Sequence, residues 1–448
     1  MLSIRQAEAR AAALIERAKR AGADAADALY FADASTGVHV RLGEVEDVHR
    51  SEDEVMGLRL FVGSRSASVS SSDLCEDAMA ALVERAAAMA REAPEDPYAG
   101  LAPEERLMRG DAPDLEADDG EDPAPADLKA RALAIEEAGR GVAGIANSEG
   151  ASVSAGRTIV ALATSHGFCR GYSTSGYSGS VSLIAGEGGE MQRDYAYHSV
   201  RHLADLDDSQ TLGRRAAERA VARLRPARLP SGTLPVIFDP RVGSSLVGHF
   251  VAAITGPSIT RRTSFLLEDE GRNVFAPGVT IFDDPHRRRG LRSRPFDGEG
   301  LPTAPSKLVD SGRLTGWLLD SASARQLGRA PTGHATRGAG GGPGVGASNV
   351  HVEPGAISAE ALIGEVESGV YVTELIGQGV NPVTGDYSRG ASGFVIEKGR
   401  IGAAVAEITV AGNLREMFAA MTPASDLEFR RAVNVPTLRI EAMTIAGA

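Results

Sequence analysis

Cysteine is scarce: Cys75 and Cys169 are the only two in 448 residues. That excludes a disulfide framework and a cysteine-based zinc site, and it suits a reducing compartment. Long apolar runs are missing too. Stretches such as LPVIF (234–238) and VAAI (251–254) fall far below the ~20 residues a membrane-spanning helix needs, so no membrane association is expected. The N-terminal MLSIRQAEARAAALIERAKR scatters charges among its apolar positions, unlike a leader with a basic start, an apolar stretch and a small-residue cleavage site. A mature, cytoplasmic protein is expected. Positive charge is in deficit: 47 Lys and Arg face 60 Asp and Glu, a net charge of −13. Such a surface repels a phosphate backbone, so nucleic-acid binding is not expected. A repeat of fixed period is also lacking.

What is present describes a folded chain, with 43% apolar and 24% charged residues. Its length exceeds one ordinary core, so two domains are expected. The basic, proline-containing RPARLPSG (225–232) marks the boundary, giving an N-terminal domain over 1–228 and a C-terminal domain over 229–448. Ser3 and Gln6 stand at capping-box spacing ahead of Ala7, Ala11, Leu14, Ile15 and Ala18, which predicts a first helix. Residues 28–70 read as an antiparallel meander. A second helix is predicted from Asp73, with Cys75 in its first turn, a third from about Pro125 to Gly139 and a fourth from Ser209 to Leu224. Residues 93–127 combine prolines with an acidic run and no periodicity, reading as a long solvated connection without the spacing of a calcium loop. Beyond 229 the chain is glycine-studded and β-rich. The fold class is therefore α+β: an N-terminal α/β domain with antiparallel sheet and helices, then a mostly antiparallel barrel- or sandwich-like β domain with a few short helices.

The stretch DPRVGSSLVGHFVAAITGP (239–257) carries the candidate chemistry. On a helix, Leu246, Val247, Phe250, Val251 and Ile254 form one stripe, and His249 falls outside it on the side of Ser245. His249 is either a structural or surface histidine or one that faces a cavity. A zinc peptidase needs two or three imidazoles or carboxylates around the metal and a carboxylate to take a proton from the bound water. This helix offers one imidazole; the nearest acids, Asp239 and Glu268, lie outside it. Ser245 and His249 at i, i+4 could be nucleophile and base, but no oxyanion-hole motif or G-x-S-x-G elbow accompanies them.

Three further stretches stand out. DDPHRRRGLRSRPFDGEG (283–300) sets Arg287, Arg288, Arg289, Arg292 and Arg294 among Asp283, Asp284, Asp297 and Glu299. It reads as a carboxylate or phosphate clamp, or as a loop whose charges neutralise one another. GHATRGAGGGPGVGASN (333–349) lacks the G-K-[ST] ending of a phosphate loop; flexible glycines beside a cleft are the better reading. NPVTGDYSRGASG (381–393) places Asn381, Gly385, Asp386, Tyr387 and Arg389 in a turn-rich segment, either a groove rim, a partner interface or a structural turn.

Taken together, LPVIFDPRVGSSLVGHFVAAITG (234–256), FAPGVTIFDDPHRRRGLRSRPFDGEG (275–300), GQGVNPVTGDYSRGASGFVIEKGRI (377–401) and PTLRIEAMTIAG (436–447) resemble the TldD/PmbA family, and specifically its PmbA branch, also called TldE. The resemblance covers nearly the whole chain. It implies a two-domain subunit whose TldD-like partner carries the zinc on an H-E-x-x-x-H helix, with a further cysteine ligand near its C-terminus. Aligned to that pattern, Ser244 stands at the first histidine, Ser245 at the glutamate and His249 at the second histidine, while SDLEFRRAVNVPTL (425–438) holds no cysteine.

The resemblance thus implies a pseudoenzyme, with no metal or cofactor in this chain and zinc in the TldD-like partner of a heterodimer that cuts unfolded peptides. Extended chains can add to a sheet edge, and His249, Asn381, Gly385, Asp386, Tyr387, Arg389, Arg292 and Arg294 are the candidate peptide groove or partner interface. A homodimer of the isolated chain is also plausible on exposed strand edges. The alternatives are an independent hydrolase built on Ser245 and His249, or a non-enzymatic adaptor of the gyrase-modulator type.

Overall fold

A computed structural model of the chain describes residues 1–447. The N-terminal half is built from α1 (Ile4–Arg20), β1 (Ala25–Arg41), β2 (Glu44–Val62), β3 (Arg65–Ser71), α2 (Glu76–Glu92), α3 (Pro125–Arg140), β4 (Ile145–Thr164), β5 (Cys169–Ala185), β6 (Gln192–Val200) and α4 (Ser209–Ala222). Its six strands form one antiparallel sheet in the order β3-β2-β1-β4-β5-β6. The predicted capping box starts α1, with the Gln6 amide bonded to the Ser3 hydroxyl and the Ser3 amide to the Gln6 side chain. Cys75 lies one step earlier than expected. It is the N-cap of α2, and its sulfur accepts from the Ala78 amide.

Because side chains alternate across a strand, each face of this long sheet has its own role. On one face, Ala26, Ala28, Tyr30 and Ala32 of β1 pack with Ile159, Ala161 and Ala163 of β4 under α1 and α2. Farther along the same face, Val38, Val40, Ala151 and Val153 pack under α3 and α4. The opposite face carries Leu29 and Leu162, which meet Phe168, Phe296, Leu301, Leu107 and Met108. Phe296 belongs to the C-terminal half and sits edge-on to Phe168 at 5.0 Å. The helix-free face is where the two halves join.

The C-terminal half comprises β7 (Gly232–Phe238), α5 (Pro240–Ala253), α6 (Gly256–Thr260), β8 (Ile281–Asp283), β9 (Ser306–Asp310), β10 (Arg313–Leu314), α7 (Ser321–Gln326), β11 (Ala335–Thr336), β12 (Gly344–Val345), β13 (Val350–Val352), α8 (Ala359–Gly364), β14 (Ser368–Ile376), β15 (Asp386–Glu397), β16 (Arg400–Asn413), α9 (Leu414–Ala419), β17 (Met421–Pro423), β18 (Val433–Asn434) and β19 (Leu438–Ala446). Strands β16-β15-β14-β7-β19 close on themselves through a β16–β19 pairing, with β17 added beside β19. Only β14 and β7 run parallel within that closure. The five-stranded barrel encloses Val236, Phe238, Val370, Val372, Leu438 and Ile440. A second small sheet, β10-β9-β8-β13-β18, packs alongside.

Two expectations change here. The segment 93–127 is a strap pinned between the halves. Ala102, Leu107, Met108 and Leu115 are buried, the Arg289 amide donates to the Leu115 carbonyl at 2.8 Å, and Arg325 donates to the Tyr98 carbonyl at 2.8 Å. It lacks periodicity because side chains reaching its backbone replace secondary structure. The arginine loop likewise does not neutralise itself locally: Arg288 and Arg289 both pair with Glu116 of the strap, and Arg289 also reaches Asp205 at 3.0 Å.

On the joining face, Asp27 lies opposite Arg59 in the β1–β2 register and accepts from its Nε at 2.8 Å. Arg337, from the glycine-rich loop between β11 and β12, bonds the other carboxylate oxygen. Burial pushes the Asp27 carboxyl up, but the two guanidiniums outweigh it and hold it below the usual range. Next to Arg59, Glu299 accepts from the Ser321 amide at 2.8 Å. Burial and then the like charge of Asp297 push it up to about 7. The same loop lays the Ala339 carbonyl so close to Gly57 that a Cβ there would stand 2.0 Å from its oxygen.

Two outcomes follow from this junction. Asp27→Ala leaves two buried guanidiniums facing each other and should destabilise the protein by about 3–5 kcal/mol; chemical denaturation that moves by less than about 1 kcal/mol would show that the arginines find other partners. Glu299 binds its proton more tightly in the fold than unfolded, so its contribution is full below the ordinary carboxyl pKa and is lost as pH rises towards about 7. Melting profiles of wild type and Glu299→Gln compared between pH 5 and 8 should therefore differ in slope, the wild type falling more steeply with pH.

Candidate functional site

Helix α5 organises the site. Asp239 caps it by accepting from the Arg241 amide at 2.8 Å, and Pro240 occupies the first helical position, where a missing amide proton costs nothing. Leu246, Val247 and Phe250 are fully buried, each burial stabilising by about 1.5–3 kcal/mol. Phe250 packs edge-on against Phe275 at 5.0 Å and Phe418 at 6.2 Å.

The serines turn inward. Ser244 Oγ donates to the Arg241 carbonyl at 3.3 Å and Ser245 Oγ to the Val242 carbonyl at 2.7 Å. Each hydroxyl bonds one turn back along its own helix, so Ser245 does not direct its proton to His249. The nucleophile-and-base reading finds no geometry here.

His249 instead faces β15. Its ring lies edge-on to Tyr387 at 6.3 Å, and Tyr387 and Arg389, two apart on one strand, share a face. His249 Nε2, the Tyr387 hydroxyl and Arg389 Nε are all buried and, among the described residues, without a hydrogen-bond partner. The polar capacity of these three groups between α5 and β15 is left unused. Burial, reinforced by the Arg389 charge, lowers the His249 pKa and keeps the imidazole neutral. Burial raises the Tyr387 phenol to about 12 against the opposing pull of Arg389. At neutral pH the cluster therefore carries one positive charge and offers donors to a carbonyl or carboxylate.

These residues do not fit a zinc ion. One imidazole is available, the two hydroxyls are engaged with helix carbonyls, and the neighbouring guanidinium repels a cation. Among the described residues, no three His, Cys, Asp or Glu side chains come together as a metal set.

The remaining sequence-predicted residues separate from this cluster. Asn381, Gly385 and Asp386 form a turn whose side chains are hydrogen-bonded locally. Asn381 Oδ1 accepts from the Val383 amide at 2.9 Å, and Asp386 from Thr384 Oγ1 at 2.6 Å and Asn413 Nδ2 at 3.2 Å. Gly385, with φ of +82°, permits the turn, and its carbonyl receives the Leu414 amide at 2.8 Å. Arg292 and Arg294 line another cleft, of about 520 Å³, along Gly248 and Val251 of α5 and Thr255, which caps α6. Arg294 donates to the Gly346 carbonyl at 3.1 Å there, and its Nε is buried unpaired. Sequence reading missed Tyr371, whose hydroxyl donates to the capping Asp239 at 2.9 Å. No local motif signals that pairing across 132 positions.

A long antiparallel sheet under four helices, joined to a five-stranded barrel against which α5 packs, defines a two-lobed α+β architecture. Family models match over three stretches: PmbA/TldA metallopeptidase domain 1 at residues 26–90, the central domain at 118–224 and the C-terminal domain at 231–447. The chain belongs to the PmbA/TldD family, on its PmbA/TldE side. It is 39% identical to metalloprotease PmbA of Escherichia coli O157:H7, over 92% of this chain and 90% of that protein. It is 38% identical to a metalloprotease PmbA homolog of Haemophilus influenzae, over 97% and 94%. A crystal structure from Bacteroides thetaiotaomicron, described as a candidate modulator of DNA gyrase, superimposes with a TM-score of 0.91 at 26% identity, covering 98% of this chain and 99% of that one. TldE from Thermococcus kodakarensis shares the fold, with a TM-score of 0.88 at 21% identity, covering 98% and 100%. No helix among the described residues is long and apolar enough to cross a membrane.

Because the Tyr387 hydroxyl is buried with only the Arg389 guanidinium beside it among the described residues, Tyr387→Phe removes a desolvated group and loses at most a weak contact. Its unfolding free energy should stay unchanged or rise by up to about 1 kcal/mol; a drop of that size would reveal a partner for the phenol.

Proposed function

We propose that this chain is the metal-free subunit of a two-subunit zinc peptidase, in which a TldD-like partner supplies the metal and this chain helps to enclose and hold an extended peptide. The observation that supports the reading is that Ser244 and Ser245, at positions where the family resemblance would place metal-site residues, bond back to helix carbonyls beside a neutral His249 and a cationic Arg389. Such a site favours electron-rich peptide oxygens over cations. Arg389 Nε, the Tyr387 hydroxyl and His249 Nε2 would donate to a peptide carbonyl or terminal carboxylate, exchanging unfilled capacity for charge-assisted bonds. They position substrate; the partner's zinc would supply the activated water and the cleavage chemistry. The existence of TldD-like relatives, such as a TldD homolog of Haemophilus influenzae 26% identical over 60% of this chain, supports a pairing of related subunits.

The test is reconstitution. The isolated chain should bind less than about 0.1 equivalent of zinc by mass spectrometry and leave an unfolded peptide intact, whereas mixing with a TldD-like subunit should produce zinc-dependent hydrolysis. One tightly held zinc per isolated chain, with hydrolysis by that chain alone, would overturn the reading. Within the mixed complex, Arg389→Met should raise KM about 10- to 100-fold with little change in kcat, the effect of one lost charge-assisted hydrogen bond of ~1.5–3 kcal/mol.

A further inference from the structure

A second cleft, of about 350 Å³, opens where α4 meets the start of α5 and the loop before β18. Five guanidiniums face it: Arg215 and Arg219 of α4, Arg241 of α5, and Arg430 and Arg431 of the loop. Three of them are neutralised. Arg215 and Arg430 share Asp207, and Arg241 holds Asp194 at 2.9 Å and Asp239 at 3.3 Å.

Of the wall's three acids, Asp239 is ion-paired with Arg241, while the exposed Asp426 and Glu428 have no cation partner among the described residues. Asp239 also accepts from Tyr371, and Asp426 accepts from the Thr437 amide at 2.8 Å and hydroxyl at 2.7 Å. Glu428 is exposed at the mouth.

Two arginines are left over. Arg219 is partly buried beside Arg241, and its one hydrogen bond is to the Tyr195 carbonyl at 3.2 Å. Arg431 donates to the Tyr197 hydroxyl at 2.8 Å and lies over that ring at 5.4 Å. Neither enters an ion pair among the described residues. A desolvated guanidinium without an anion, set next to another guanidinium, is costly unless a counter-charge arrives from outside. Burial, then the Arg241 charge, lower the Arg219 pKa against the opposing charges of Asp239 and Asp194.

The site is also held rigidly. The Arg430 and Arg431 amides both donate to Asn434 Oδ1 at 2.8 Å, and the volume lies in the range of small-ligand sites. We propose that this cleft binds a compact dianion, a phosphate monoester or a dicarboxylate, with Arg219 and Arg431 as its principal ligands. It is separate from the His249 cluster and does not depend on the peptidase reading. Its shared chemistry is two negatively charged oxygens placed between the two unpaired guanidiniums, in the bidentate manner arginine favours.

Calorimetric titration of the full chain with inorganic phosphate, and separately with succinate, each against sodium chloride at matched ionic strength, tests the assignment. Saturable binding of at least one anion is expected, weakened at least tenfold by Arg219→Gln and unchanged by Arg214→Gln on the exposed side of the same helix. Saturation by phosphate alone assigns the phosphate ester, and saturation by succinate alone the dicarboxylate. Should Arg219→Gln fail to fold, Arg431→Gln at the rim serves in its place. No saturable binding of either anion, or binding that neither substitution weakens, overturns the proposal.

Discussion

One carboxylate holds the architecture together. Asp27 sits on the helix-free face of the first sheet and neutralises Arg59 from the neighbouring strand and Arg337 from the other half of the chain. A buried ion pair of this kind adds little net stability over an apolar contact of equal volume, yet losing one member is expensive. Its effect is on register: the Arg337 loop must arrive where the carboxylate waits. That loop continues into β12 and Gly346, which form one wall of the cleft beside α5. The geometry at the functional helix thus traces back to a charge on β1.

At α5 the same electrostatic reasoning bears on what the helix presents. The capped helix, its apolar stripe and the edge-on phenylalanines fix the backbone, so its side chains are presented at one place in the fold. What those side chains attract depends on sign. An imidazole among carboxylates would gather a cation; one beside a guanidinium and a phenol gathers oxygen lone pairs instead.

Much of the fold was legible. The capping box of α1, the antiparallel meander and the helix from Pro125 follow from periodicity and turn residues, which are local signals. The short strands are read as a barrel or a sandwich; the closure through β16 and β19 that makes it a barrel is a pairing no local pattern reveals. The 93–127 strap was misread because its order comes from partners far away in sequence, Arg325 among them. At the site, Tyr387 and Arg389 could be named beside His249, since the glycine-rich segment drew attention to them. Their neighbours Asn381 and Asp386 carried the same signal but satisfy one another, and only distances separate a turn that closes on itself from one that is open. The arginine cleft went unseen, because its ligands come from three segments scattered along more than 200 positions.

The contact between Gly57 and the Ala339 carbonyl has a consequence for how such a chain can diverge. A single methyl group on the second strand would act as a wedge against a loop nearly 300 positions away. Neither lobe can therefore be exchanged for a distant cousin's without bringing its counterpart along, and chimaeras that swap lobes should tolerate a seam only where that hydrogen atom is preserved.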